Sequence, residues 1–138
     1  MAKVVVIQGA GMDQRGKVQI EVFGPETLAE INARISADAA ALGLEVEIMQ
    51  SNDEDETLSF IQGLEEDHWL AGIINPSGFT GSGKLADAIA AVRIPFYEVH
   101  ASNPTARGVV SSILPVCQGG VCGFGYAGYG MVLRELER

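Results

Sequence analysis

The chain has 138 residues, 47% of them hydrophobic, and its 18 acidic against nine basic side chains give a formal net charge of −9. That length suits one domain, residues 1–138, with a sizeable core. No apolar run approaches the ~18–20 residues that span a bilayer, and no cluster of Lys and Arg offers the counterion-displacing surface that nucleic acid requires; the reading is therefore no membrane and no nucleic acid.

Met1-Ala2-Lys3 runs straight into a strand without the charged, apolar and cleavage regions of a signal peptide, so a cytoplasmic protein is expected. The first strand is the continuous apolar run Val4–Ile7, the pattern of a strand covered on both faces. Thr27 and Glu30 fit a capping box, and Leu28, Ile31, Ile35 and Leu42 follow at helical spacing until Gly43. A second strand is read at Leu44–Met49. The acidic start Asp53–Glu56 opens a helix with Leu58, Ile61 and Leu64 on one face. Ala71–Ile74 is the third strand, and a helix opening near Ser82 carries Leu85, Ala88, Ile89 and Val92. Phe96–Val99 and about Gly119–Phe124 are the fourth and fifth strands, and Tyr129–Glu137 is a closing helix.

Strands alternating with helices imply a parallel sheet with right-handed crossovers, whose ligands bind beyond the carboxyl ends of the strands. The loops to search follow Ile7, Ile74, Val99 and Phe124, with one more near Met49. Cys117 and Cys122 read as buried, reduced thiols. With two distant His they make no metal site, and no cofactor is expected.

Two segments resemble nucleotide loops. Gly78 to Lys84 matches the first seven positions of a Walker A loop between a strand and a helix, but Leu85 brings no hydroxyl for Mg²⁺. Gly123-Phe124-Gly125-Tyr126-Ala127-Gly128 matches GxGxxG without an acid about 20 residues on to hold a ribose. Those glycines are assigned to close strand–helix packing. The chemically rich segment is Phe96 to Asn103. Residues two apart on a strand face the same way, so Glu98 and His100 project together at its carboxyl end. A carboxylate there fixes the imidazole's orientation and makes it a general acid or base. His68, beside Trp69, is read as a surface residue without a functional role.

Over nearly its whole length the chain resembles the type II 3-dehydroquinate dehydratases, or type II dehydroquinases. The matching pieces are Val5-Val6-Ile7-Gln8-Gly9, Gly24 with Thr27-Leu28, Ile73-Ile74-Asn75-Pro76, Glu98-Val99-His100-Ala101-Ser102-Asn103 with Ala106-Arg107, and Gly123-Phe124-Gly125 with Gly128-Tyr129. The resemblance implies a flavodoxin-like three-layer α/β fold, a five-stranded parallel sheet in order 2-1-3-4-5, and a homo-oligomer, trimer or dodecamer. It implies elimination of water through an enolate. A tyrosinate, its pKa lowered by an arginine, takes the proton, and a glutamate-held histidine protonates the departing hydroxyl. An asparagine holds a water at the enolate, and backbone N–H groups after the histidine hold the substrate carboxylate.

Carried onto this sequence, His100 falls at the acid, Glu98 at its orienter and Asn75 at the asparagine. Ala101 and Ser102 fall at the carboxylate loop, Arg107 at the arginine after it, and Asp87 at an aspartate that reaches across the trimer interface. Other positions depart from the pattern. Phe23 stands at the tyrosine and Val18 at its arginine. Gly11 replaces an asparagine, Gly81 a substrate-binding histidine in the loop that also holds Gly78, and Ser111 a second arginine. Tyr97, Tyr126 and Tyr129, or Asp13 and Arg15 of the first loop, are the candidates for a replacement base or cation. The sequence thus points to a dehydroquinase-like lyase or hydrolase acting on a small polar, anionic substrate. The alternatives are a non-catalytic binding or scaffold homologue and a P-loop-like nucleotide binder using Lys84.

Overall fold

Five parallel strands form the middle layer of the computed structural model, which describes residues 1–136: β1 Lys3–Gln8, β2 Glu45–Gln50, β3 Ala71–Asn75, β4 Phe96–His100 and β5 Gly119–Cys122. Their order is β2-β1-β3-β4-β5, the expected flavodoxin-like arrangement. The helices are α1 Ile20–Phe23, α2 Leu28–Ala41, α3 Glu54–Gln62, α4 Gly83–Ala91 and α5 Ala127–Leu136. The sequence reading takes the last helix to Glu137, which lies outside the described residues. Among those residues, no helix is long and apolar enough to cross a membrane, and no group of three His, Cys, Asp or Glu side chains could hold a metal ion.

The period of two along the strands builds two cores. Val4 and Val6 of β1, Ile73 of β3 and Val99 of β4 pack under α2 and α5, against Ile31, Ile35, Tyr129 and Leu133. Val5, Ile7, Ile74 and Phe96 point the other way, onto Ile61 of α3 and Leu85 and Ile89 of α4. Both faces of β1 are therefore covered, which is why its sequence is an unbroken apolar run.

Helix starts follow their capping residues. Thr27 and Glu30 form the reciprocal box at α2, Asp53 accepts from the Asp55 and Glu56 amides at α3, and Ser82 accepts from the Leu85 amide at α4. One element is new. α1 is a single turn entered through Gln19 in a left-handed conformation, φ 51°, with no side-chain cap.

Three readings change. Cys122 is exposed rather than buried, because β5 is an edge strand; Cys117 is partly buried, and burial together with the Glu98 charge pushes its thiol pKa up to about 12. Of the GxGxxG glycines, only Gly128 is set by packing, since a Cβ there would lie 3.0 Å from a Val99 methyl; Gly123 and Gly125 instead take positive φ in the turn before α5. Lys84 does not face a phosphate loop. Its ammonium lies 2.9 Å from Asp55 and 3.4 Å from Glu54 of α3, pairings that raise its pKa. The Walker-like spacing belongs to a helix start that ties α4 to α3.

Candidate active site

Beyond the carboxyl ends of β3 and β4 lies a cavity of about 370 Å³. It is lined from three loops. The segment after β1 contributes Ala10, Gly11, Arg15, Val18 and Phe23. The end of β3 and its loop add Asn75, Ser77, Gly78 and Thr80, and the end of β4 adds His100, Ala101, Ser102 and Arg107. The loop after β5 contributes no lining side chain, and Phe124 there points largely to solvent.

The first two loops are tied together through their backbones. The Gly9 amide donates to the Asn75 carbonyl at 2.9 Å, and the Gly78 amide to the Ala10 carbonyl at 2.8 Å. The approach is so close that a Cβ on Gly9 would fall 1.8 Å from the Pro76 carbonyl oxygen, leaving no room for any other residue. On the far side, the Gly11 amide donates to Oδ1 of Asn52, whose own amide donates to Asp13. Asp13 is thereby held toward Asn52, partly buried, and does not line the cavity.

β4 places a carboxylate and an imidazole side by side. Nε2 of His100 sits 3.1 Å from Oε2 of Glu98, an ion-pair contact outside hydrogen-bond alignment, with the Glu98 side chain 4% exposed. The other oxygen, Oε1, accepts from the Ser111 hydroxyl at 2.6 Å, and Ser111 Oγ in turn accepts from the Ile113 and Leu114 amides. The carboxylate is thus fixed by a loop that sequence spacing does not place beside it. On β3, Asn75 is buried and its Nδ2 donates to the Tyr129 hydroxyl at 3.1 Å. That bond sets the orientation of the amide at the cavity floor.

The first loop is reorganised around Arg15, which is only 5% exposed. Its guanidinium stacks on the Phe23 ring, with Cζ 3.8 Å from the ring centre, and Nη2 donates to the Ser77 hydroxyl at 3.0 Å. Arg107 approaches the same ring at 5.5 Å and donates to the Ser102 hydroxyl. Phe23 has no hydroxyl to ionise, and it serves as a platform for two cations.

None of the three tyrosines lines the cavity. Tyr129 is fully buried, and burial pushes its pKa up to about 12 despite the hydrogen bond from Asn75. Burial also raises Tyr126, the Arg15 charge offsetting this only in part. Tyr97 packs on the opposite face of β4, toward α5. No phenol is therefore set up as a tyrosinate here.

The structure brings together His100, Asn75, Ala101, Ser102, Arg107, Gly78, Gly11 and Phe23 around one cavity, with Glu98 behind His100. It does not bring Gly81 or Asp87 to it. Gly81 is exposed with open space around it, and Asp87 borders a separate cleft with Lys84. His68 is exposed and paired with Glu65 at 3.4 Å. The residues that spacing alone missed are Arg15 as a buried group and Ser111 as the partner of Glu98.

Fold and site together define a flavodoxin-like α/β protein with an imidazole against a buried carboxylate and two arginines at the carboxyl edge of its sheet. A profile of the dehydroquinase class II family matches residues 2–137. The 3-dehydroquinate dehydratase of Syntrophotalea carbinolica is 41% identical over 133 residues, covering 94% of this chain and 90% of its own. That of Stenotrophomonas maltophilia is 38% identical with the same coverage. The crystal structure of the type II dehydroquinase from Butyrivibrio crossotus superposes with a TM-score of 0.93 at 30% identity, covering 99% of this chain and 98% of its own. The chain belongs to the dehydroquinase class II family.

Proposed function

We propose that this chain is a dehydroquinase-like enzyme, a lyase or hydrolase acting on a small polar carboxylated molecule. His100 is its general acid/base and Glu98 the group that orients it. Asn75 is a polar anchor, and the Ala101–Ser102 segment with Arg107 holds the substrate carboxylate. The observation that carries this reading is the Glu98–His100 contact of 3.1 Å at the wall of a cavity that Asn75 and Arg107 also line. Asp87, on the outer surface of α4, is assigned to a neighbouring subunit's site in a homo-oligomer.

3-Dehydroquinate, the substrate in the relatives' names, is the first molecule to assay, by the absorbance of the enone that loss of water creates. Turnover on it should lie near background, because a positioned proton-transfer group is worth ~10²–10⁴ in rate and no phenol occupies the base position. On whichever carboxylated substrate is turned over, His100→Ala should cost ~10²–10⁴ in kcat and Glu98→Gln less. Unchanged turnover in His100→Ala would refute the assignment of the acid. The absence of an ionisable group at Phe23 equally favours a second reading, a binding homologue without catalysis. Thermal stabilisation by small carboxylates without any turnover would select it.

A further inference from the structure

Arg15 is a buried cation without an anion. Its side chain belongs to a residue 5% exposed, its Nε has no hydrogen-bond partner, and its other neighbours are neutral: the Ser77 hydroxyl, the Gly11 carbonyl at 3.5 Å, the Tyr126 phenol and the face of Phe23. Among the described residues no carboxylate lies within 4.0 Å of Arg15 or of Arg107. A guanidinium taken out of water without a counter-charge is destabilising, and natural chains retain such a group where a ligand supplies the charge. Here the chain as a whole carries −9, so ample acid is available elsewhere on its surface and yet none is placed at this point. Arg15 lines the cavity. A second hollow, about 540 Å³, borders the same His100–Glu98 pair but carries neither Lys nor Arg, so an anion belongs in the smaller one.

We propose that Arg15 is a second anion site within this cavity, and that the ligand is a small dianion. One anionic group sits at Arg107 and the Ala101–Ser102 segment, and the other against the Arg15 guanidinium where it lines the cavity. Both guanidiniums rest on one ring, which puts their Cζ atoms at most about 9 Å apart, a span that a compact dicarboxylate bridges. The proposal deepens the reading given above and rests on it for taking this cavity as the ligand site.

The test uses benzene-1,3-dicarboxylate and benzoate as probes, at matched ionic strength, by calorimetry and thermal shift. A charge-assisted hydrogen-bond pair is worth about 10–100-fold in affinity, so the dicarboxylate should bind at least about tenfold more tightly than benzoate. Arg15→Met should erase that preference while the ligand-free melting temperature stays level or rises, because an unpaired buried charge has been removed. Arg15→Lys should keep part of the preference. The proposal is overturned if the two acids bind equally to the parent protein. It is also overturned if Arg15→Met lowers the ligand-free melting temperature and keeps the preference, since Arg15 would then only brace the loop. If neither acid binds, the cavity reading falls and this proposal with it. If benzoate binds as well as the diacid, only the role of Arg15 falls.

Discussion

The two halves of the cavity are built on different principles. The β4 half is borne on a strand: Glu98 and His100 are two residues apart, the pleat points them the same way, and the sheet register fixes where they emerge. The half after β1 is borne on a loop, and its geometry comes from long-range contacts. Arg15 is placed by the Phe23 ring eight residues on and by Ser77, 62 positions away in sequence. Strand-borne chemistry can be carried from a related sequence residue by residue. Loop-borne chemistry is free to be rebuilt, and here an arginine outside the family's motif positions stacks on the ring that stands where a tyrosine is expected.

The most severe way to break the loop-borne half is Gly9→Ala. A methyl group 1.8 Å from the Pro76 carbonyl oxygen forces the first loop away from the β3 loop and strains two backbone hydrogen bonds that tie them. Forced overpacking of this kind costs about 3 kcal/mol. A melting temperature lower by on the order of 10 °C is expected. A fully stable Gly9→Ala protein would mean that the two loops are not held in register as described.

The same contrast explains what the sequence revealed. The parallel strands, the helix starts at Thr27, Asp53 and Ser82, and the positions of Asn75 and His100 at strand ends follow from local pattern, whereas the strand order comes with the family resemblance. α1 left no such trace, since a single turn of four residues has neither a full apolar stripe nor a capping side chain. Arg15 is long and charged, a residue type that pattern reading assigns to the surface. Its burial depends on an aromatic platform that only the folded loop creates. Ser111 stands where the family resemblance places a second arginine. Its hydrogen bond to Glu98 reports what it does instead.

Alkaline pH probes the floor beneath the strand-borne half. Burial pushes the Tyr129 phenol up to about 12, whereas the unfolded chain ionises near the ordinary tyrosine value of 10.0. Between those values the folded protein keeps a proton that the unfolded chain has lost, so this contribution is complete below about pH 10 and declines as pH rises toward 12. The loss is on the order of 2–3 kcal/mol. Cys117, also raised to about 12, declines over an overlapping range, so the comparison to make is between the parent and Tyr129→Phe. Denaturant melts across this range should fall more steeply for the parent. Equal slopes would mean that Tyr129 is not the buried phenol that holds Asn75.

The smallest expected effect is the most specific, because it asks whether the strand-borne half is as self-contained as its spacing suggests. Ser111 donates to one oxygen of Glu98, while the imidazole lies against the other. Ser111→Ala leaves a buried carboxylate oxygen without that donor and also frees the Ile113 and Leu114 amides that Ser111 Oγ caps. A lost hydrogen bond to a charged group costs about 1.5–3 kcal/mol, part of which water recovers at this partly exposed position, so about 1 kcal/mol in stability is expected. The informative readout is kinetic. If Ser111 acts by holding Glu98, and Glu98 by holding His100, the variant should lower kcat with little change in KM, and Ser111→Thr should restore most of the loss. If stability falls while kcat is untouched, Glu98 is held firmly enough by its strand alone, and the orientation of His100 owes nothing to the loop.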